Sequence, residues 1–257
     1  WEGHKGRERM TAGIKSQDFD AWLAGRRDLV GVKTLGGFGW MNSALHAWIE
    51  IQKRGFRRWN VTGGPLYWHG ELCNTALVAQ AIAVTNPTAL MLNEFFNGRK
   101  QKDRRKKMRN GRVDLWVTCG SSNISFEAKA SYPSAPKKSR PWQTVEPHMD
   151  RALAQVEDYS LDEPVRKLGV VFALPCVAKE HWDLKPERRV GAIRDLLVHY
   201  GLVEKTVGSE MRVSTKGLAF AAYYFPKEWK KRWDQLGDKK HKYVGVLLLA
   251  RELDHEE

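Results

Sequence analysis

Two short runs of strand-forming residues lie close together within residues 111–131, which read GRVDLWVTCGSSNISFEAKAS. Residues 112–118 and 123–129 are rich in β-branched and aromatic residues, and the sequence CGSS between them has the small polar residues of a turn. The chain is therefore predicted to place two neighbouring strands here, near its centre.

Three charged residues interrupt these otherwise apolar strands: Asp114 in the first, and Glu127 and Lys129 in the second. Side chains alternate between the faces of a strand, so Glu127 and Lys129 point the same way and Ala128 points the other way. Two carboxylates that converge on one sheet end repel each other unless a cation lies between them. A hard divalent ion such as Mg²⁺ or Mn²⁺ meets this need, because it binds through carboxylates, water and substrate phosphate. The alternative is an exposed Glu–Lys pair on an edge strand.

The remaining pattern predicts an α/β protein with a central mixed β-sheet flanked by helices. Apolar spacing predicts helices over 42–54, 71–84, 148–159 and 190–200, and a basic aromatic helix over 227–233. Further strands are predicted over 89–96, 168–174, 218–225 and 243–250. A short helix is expected over 18–26 and a loop over 35–40.

We expect one domain over residues 1–257, with its core at about 42–175 and with N- and C-terminal elaborations. The stretch 190–222 also allows another interpretation, as the wing and last helix of a winged-helix-like element. Short apolar runs do not separate helix from strand.

The charge of the chain favours a polyanionic partner. Forty-three Lys and Arg oppose 30 Asp and Glu, which gives a net charge of +13. Residues 98–112 alone hold nine Lys or Arg and one Asp, and are expected to form an exposed loop that binds phosphates. The basic candidates for nucleic-acid binding are Arg99, Lys100, Lys102, Arg104, Arg105, Lys106, Lys107, Arg109, Arg112, Lys137 and Lys138.

Several classes of protein are disfavoured by what the sequence lacks. Its three cysteines include no CxxC pair, so neither a disulfide framework nor a structural zinc site is expected. It contains no HxxxH zinc motif and no phosphate-binding glycine loop. No apolar run reaches membrane-spanning length, and the polar start WEGHKGRERM does not look like a secretory signal, so a cytoplasmic protein without a membrane partner is expected. The first residue is Trp, which leaves open a start inside a longer polypeptide.

The arrangement of Asp114 before LWV and of Glu127-Ala-Lys129 after ISF resembles the signature of the PD-(D/E)xK nuclease superfamily, which has the restriction-endonuclease-like fold. In that superfamily an Asp marks the second core strand and a Glu-x-Lys lies on the third. Val113 stands where the signature has Pro, a departure that the superfamily tolerates. The resemblance covers about residues 42–175.

Two further features extend this resemblance. The superfamily often carries a Glu on the helix before the sheet, where Glu71 matches, with Glu50 and Glu94 as the alternatives. Gln155 and Tyr159 have the Q-x-x-x-Y spacing of the RecB-like branch, where the motif helps to position the substrate. If both lie on one helix, residues four apart share a face, so both could bind nucleic acid. The alternative is ordinary helix surface for Gln155 and core for Tyr159.

The resemblance implies a Mg²⁺-dependent deoxyribonuclease, expected to be an endonuclease, that hydrolyses phosphodiester bonds. It implies that Asp114, Glu127 and the carbonyl of Ala128 hold the metal and that Lys129 and Glu71 complete the catalytic set. DNA is the expected substrate, RNA stays open, and a homodimer is allowed but not required. The alternative is a nucleic-acid-binding protein that keeps the fold without catalysis.

Overall fold

In a computed structural model of the chain, a central mixed β-sheet is flanked by helices, as the sequence predicts. The described residues are 21, 29–34, 39–58, 66–99, 109–120, 122–135, 142–159, 165–182, 196, 199–200, 218–224, 240–243 and 245–253. Among their helices, none combines the length and the apolar character needed to cross a bilayer.

Three α-helices and ten strands are described. The helices are α1 (Met41–Arg57), α2 (Gly70–Thr85) and α3 (Trp142–Glu157), and short 3₁₀ helices cover Leu66–His69 and Lys179–His181. The strands are β1 (Leu29–Thr34), β2 (Leu90–Arg99), β3 (Arg109–Cys119), β4 (Ser122–Ser131), β5 (Ser134–Ala135), β6 (Val165–Ala173), β7 (Cys176–Ala178), β8 (Leu218–Tyr224), β9 (His241–Tyr243) and β10 (Gly245–Glu252).

The main sheet has seven strands in the order β1-β8-β10-β6-β4-β3-β2. Among the described pairs of this sheet, only β4–β6 is parallel, and α3 makes the connection between these two strands. The three strands β1, β8 and β10 come from outside residues 42–175. The sheet is therefore wider than the predicted core, and the terminal regions contribute strands to it directly.

The core lies on both faces of this sheet. Trp48 of α1 is 0% exposed and stacks on Phe172 of β6, with ring centroids 6.4 Å apart. Every residue from Val246 to Ala250 on β10 is also 0% exposed, as expected for a strand covered on both faces. Gln52 of α1 donates a buried 3.1 Å hydrogen bond to Asn74 of α2, which fixes the two helices against each other.

Helix α3 lies very close to β6, the strand next to β4, at Gly169. Gly169 of β6 is the register partner of Glu127 on β4, so both residues lie on the same face of the sheet. A Cβ atom at Gly169 would lie 2.9 Å from Leu153 Cγ and 3.2 Å from the Leu153 backbone nitrogen. The absence of a side chain at this position lets α3 cross directly beside Glu127.

Several sequence predictions need correction. The expected loop over 98–112 is partly strand, because β2 continues to Arg99 and β3 begins at Arg109. Helix α3 begins earlier than expected, includes Pro147 and ends at Glu157, so Tyr159 lies beyond it. The expected strand over 243–250 is divided between β9 and β10. Strand β1 was not predicted.

The alternatives for the C-terminal region are only partly covered by the description. Strand β8 lies between β1 and β10 in the main sheet, which favours the strand interpretation of 218–225 over the winged-helix-like element at 190–222. The rest of that element and the helix expected over 227–233 lie almost wholly outside the described residues. So do the expected helix over 18–26, apart from residue 21, and most of the expected helix over 190–200.

Candidate functional site

Strands β3 and β4 separate beside Glu127 and leave a fork in the sheet. Their antiparallel pairing runs from Cys119–Ser122 to Leu115–Phe126 and stops there, which places Asp114 opposite Glu127 at the mouth of the fork. Strand β4 continues to Ser131 paired only with β6, while β3 continues beside β2. Among the described residues, the edge of β4 that faces β3 therefore has no strand partner beyond Phe126.

Two carboxylates bond to backbone N–H groups on the edge of β4 in this fork. Asp114 Oδ2 accepts a 2.7 Å hydrogen bond from the Ala128 N–H, and Glu71 Oε2 accepts a 3.1 Å bond from the Ala130 N–H. Buried backbone donors need partners, and these side chains replace the missing strand. Glu71 is positioned by the first turn of α2, which begins at Gly70. The fork thus brings a helix carboxylate and a strand carboxylate to the N–H groups of two alternate residues, Ala128 and Ala130, on one edge of β4.

The ammonium of Lys129 lies between oxygen atoms. Lys129 Nζ is 2.7 Å from Glu127 Oε1, 2.7 Å from the Ala128 carbonyl oxygen and 3.9 Å from Glu71 Oε1. The Glu127 side chain is only 4% exposed, and a charge so deeply buried requires a charged partner. Lys129 therefore balances the charge of Glu127.

Tyr159 holds the second oxygen of Glu127. The phenol contacts Glu127 Oε2 and also lies 3.1 Å from the carbonyl oxygen of Arg112. A single phenolic proton serves one acceptor at a time, and the carboxylate is the stronger one. Tyr159 is 1% exposed and packs with Val113 and Val156, so the phenol fixes the rotamer of Glu127 from inside the protein.

The carboxylates of the fork perturb one another. Burial and, after it, the charge of Glu127 raise the pKa of Asp114 to about 6, against the opposing effects of the Ala128 N–H and Lys129. Burial also raises the pKa of Glu71, opposed by Lys129 and by the Ala130 N–H. Such crowding of acidic groups favours the binding of a cation.

The donor set of the fork suits a hard cation. Asp114 and Glu127 offer carboxylate oxygens and Ala128 offers a carbonyl oxygen, which are the donor types that Mg²⁺ takes from proteins. The ammonium of Lys129 already lies against two of these three residues. Within the described ranges, no group of three or more His, Cys, Asp or Glu side chains is placed so that it could hold a metal ion. A metal in the fork would therefore rely on water and substrate oxygens, and would displace the ammonium from its present contacts.

Among the three glutamates considered for the helix position, Glu71 lies in the fork. The Glu50 carboxylate pairs with Lys53 on the same helix at 2.6 Å. The Glu94 carboxylate lies 3.3 Å from the Arg112 guanidinium on the neighbouring strand. Only Glu71 bonds to β4.

The candidate nucleic-acid contacts are described unevenly. Arg112 is exposed on β3, close to the fork, and Arg99 and Arg109 end the β2–β3 ladder as partners of each other. Gln155 of α3 is partly buried, and its Oε1 is a buried acceptor without a hydrogen-bond partner. Tyr159 is not available for direct contact with nucleic acid, because it is buried, and it shares no helical face with Gln155. The candidates outside the described residues are Lys100, Lys102, Arg104, Arg105, Lys106, Lys107, Lys137 and Lys138.

Two more residues near the fork have features that no pattern in the sequence predicts. Glu94 adopts a left-handed backbone with φ 49°, at the position on β2 opposite Asp114, where the ladder has no pair. Non-glycine residues rarely adopt this conformation, and it clusters at functional sites. His148 of α3 lies close enough to Lys129 for the ammonium to lower the histidine pKa, after the larger effects of burial and of Arg151. The sequence offers Glu94 only as an alternative to Glu71, and His148 belongs to no motif that marks it.

In comparisons with known proteins, the chain matches no protein family, no curated protein and no solved structure.

Proposed function

We propose that the protein is a metal-dependent nuclease with a restriction-endonuclease-like core, and that it hydrolyses phosphodiester bonds of DNA by endonucleolytic cleavage. One observation supports this most: Asp114, Glu127, Lys129 and Glu71 converge on the β3–β4 fork although they come from three separate elements. Nothing in the stability of a sheet requires this set of charges in one place.

Each residue of the fork has a role in this proposal. Asp114, Glu127 and the Ala128 carbonyl would hold Mg²⁺ or Mn²⁺, which supplies the positive charge that lowers the pKa of water and neutralises a phosphate. Lys129 orients the attacking water and stabilises negative charge that develops on the phosphate oxygens. Tyr159 keeps Glu127 in place, and Glu71 limits the movement of Lys129.

The charge of the chain supports the polymer substrate. A net charge of +13 attracts a polyanion, and the basic tract 98–112 ends two residues before Asp114 in the sequence. Such contacts bind the backbone and carry no sequence information. DNA is preferred on the resemblance of the signature, and RNA is the comparison substrate for the test.

A second candidate function also has an observation in its favour. The ammonium of Lys129 already contacts Glu127 and the Ala128 carbonyl, two of the groups that would hold a metal. A nucleic-acid-binding protein that kept the fold but lost catalysis would have the same contacts. Its basic surface would then bind the polymer and the fork would only hold β3, β4 and α2 together.

A cleavage assay separates the two candidates. Supercoiled plasmid, linear DNA and RNA are incubated with the protein in Mg²⁺, Mn²⁺ or EDTA, and binding is measured in parallel by electrophoretic shift. Cleavage of DNA that requires the divalent ion supports the nuclease, and nicked or linear plasmid supports internal cutting. Binding of DNA without cleavage under any divalent ion would reject the nuclease and favour the second candidate.

A further inference from the structure

One face of β3 presents three different chemical groups in a row. Arg112, Asp114 and Trp116 are two residues apart, so they share a face, with about 7 Å between successive positions. The alternate residues Val113, Leu115 and Val117 are each 0% exposed. The row therefore places a guanidinium, the fork carboxylate and an indole along one line.

The indole is held in a fixed orientation. Trp116 Nε1 donates a 3.1 Å hydrogen bond to Thr118 Oγ1, and that hydroxyl donates a 2.9 Å bond to Asn123 Oδ1. The polar edge of the ring is thus engaged with the protein, while the residue as a whole is partly exposed. A ring fixed in this way binds a flat partner at little further entropic cost.

Strand β2 continues the apolar surface beside Trp116. Leu92 is the register partner of Trp116 and is 55% exposed, and Leu90, the partner of Thr118, is 72% exposed. Residues directly opposite each other point to the same face, whereas Met91 between the two leucines packs on the core. We name Leu90, Leu92 and Trp116 the apolar strip. Helix α3 packs mainly over β4 and β6, and the two leucines of the strip are exposed.

The other end of the row is arranged for a phosphate. The Arg112 side chain is 58% exposed, and its guanidinium lies 3.3 Å from the Glu94 carboxylate. The left-handed backbone of Glu94 lies opposite Asp114. An exposed guanidinium beside the fork has the geometry and charge that suit a phosphate.

We propose that the apolar strip is a subsite for unpaired nucleobases, and that the substrate enters the fork as a single-stranded segment. The identity of the polymer rests on the proposed function. In a duplex the base faces are stacked inside, so an indole and two leucines can contact a base face only when the strand is unpaired. The backbone then passes Arg112 and the fork while bases lie on the strip. A net charge of +13 favours this polyanionic occupant over an apolar peptide.

Binding measured in EDTA tests the subsite without any need for catalysis. The probes are a fluorescein-labelled single-stranded oligonucleotide and the matching duplex, followed by anisotropy. The variants are Trp116→Ala, Trp116→Phe and Leu92→Asp. Val84→Asp is the matched control, because Val84 is 67% exposed on α2 and the charge change is identical. Thermal melts verify folding. If Trp116→Ala does not fold, the result for Leu92→Asp decides the test, because Leu92 is exposed.

We expect Leu92→Asp and Trp116→Ala to weaken single-strand binding by about tenfold relative to Val84→Asp, since each stacked base contributes that order of affinity. Trp116→Phe should keep most of the affinity, and duplex binding should follow the control. If the strip variants bind the single strand as tightly as Val84→Asp does, the subsite is overturned. It is also overturned if these variants lose duplex binding as much as single-strand binding. A change only in self-association, seen by light scattering, would assign the strip to contact between copies of the chain and also overturn it. If the strip variants lose single-strand binding but the wild-type protein never cleaves, the subsite is retained and only the proposed function is rejected.

Discussion

Asp114 Oδ2 accepts a 2.7 Å hydrogen bond from the Ala128 N–H at the point where β3 and β4 part. This bond joins the two strands where their ladder ends, and it places the carboxylate directly beside the Glu127–Lys129 pair. The same contact therefore stabilises the sheet and assembles the candidate site.

The raised pKa of Asp114 predicts that its ionised carboxylate lowers the free energy of unfolding of the metal-free protein as pH rises. Its folded-state pKa of about 6 exceeds the unfolded value, so protonation favours the folded state, and stability falls as pH rises from about 4 to above 6. Asp114→Asn keeps an oxygen acceptor for Ala128 and removes the charge. In EDTA at pH 8 we expect it to raise the free energy of unfolding by about 1–2 kcal/mol, after allowance for partial exposure.

Urea denaturation at pH 4 and pH 8 measures this effect, with Asp150→Asn on the exposed surface of α3 as the control. The gain should vanish at pH 4. A gain of equal size at both pH values would contradict the assignment to the Asp114 charge.

Lys129→Met should destabilise the metal-free protein by about 2–4 kcal/mol, because it leaves the buried Glu127 without its cationic partner. Lys53→Met, which removes the exposed Lys53–Glu50 pair, should cost less than about 1 kcal/mol. Addition of Mg²⁺ should raise the melting temperature of Lys129→Met more than that of the wild type, because the ion replaces the missing ammonium. A Mg²⁺ response equal in both proteins would show that no divalent ion enters the fork.

Tyr159→Phe keeps the packing on Val113 and Val156 but removes the hydrogen bond to Glu127. We expect the free energy of unfolding to fall by about 1–2 kcal/mol and kcat to fall by about tenfold, with little change in KM, since Tyr159 does not reach the surface. Tyr132→Phe, at a residue 46% exposed, is the control. A rise in KM with unchanged kcat would instead indicate that Tyr159 contacts substrate.

The order and type of the central elements could be predicted from the sequence because each carries a periodic apolar pattern, as Asn42–Arg54 and Leu168–Leu174 do. The alternation that pairs Glu127 with Lys129 also follows from local geometry. Strand β1 could not be predicted, because LVGVKT is short and gains its stability from pairing with β8, which lies far along the chain. The end of α3 was missed because helix composition continues past Glu157, while Tyr159 is held by β3 and β4.

The residues of the site could be predicted from a local signature, but their contacts could not. Glu71 and Asp114 were identified by their resemblance to a signature, but their bonds to Ala130 and Ala128 depend on where the β3–β4 ladder stops. No periodicity in the sequence indicates the residue at which the β3–β4 pairing ends. The left-handed backbone of Glu94 is likewise a product of the sheet, since nothing in ALMLNEFF requires it.

Gly169→Ala tests the close approach of α3 to the strand beside Glu127. The added Cβ would lie 2.9 Å from Leu153 Cγ and 3.2 Å from the Leu153 nitrogen, so the helix has to move. We expect a loss of about 1–3 kcal/mol in the free energy of unfolding and lower nuclease activity. Gly39→Ala, where no atom lies within 4 Å, should leave both unchanged. Unaltered stability in Gly169→Ala would contradict the described packing of α3 on β6.

The measurement that bears most directly on the proposed function is the single-turnover rate of DNA cleavage in Mg²⁺ for Glu127→Gln beside Glu50→Gln. Both changes remove one negative charge and keep the shape of the side chain, but only Glu127 lies in the fork. We predict that Glu127→Gln lowers the rate by about 100-fold or more, while Glu50→Gln cleaves as the wild type does. Equal rates in the two variants would contradict a catalytic site at the β3–β4 fork.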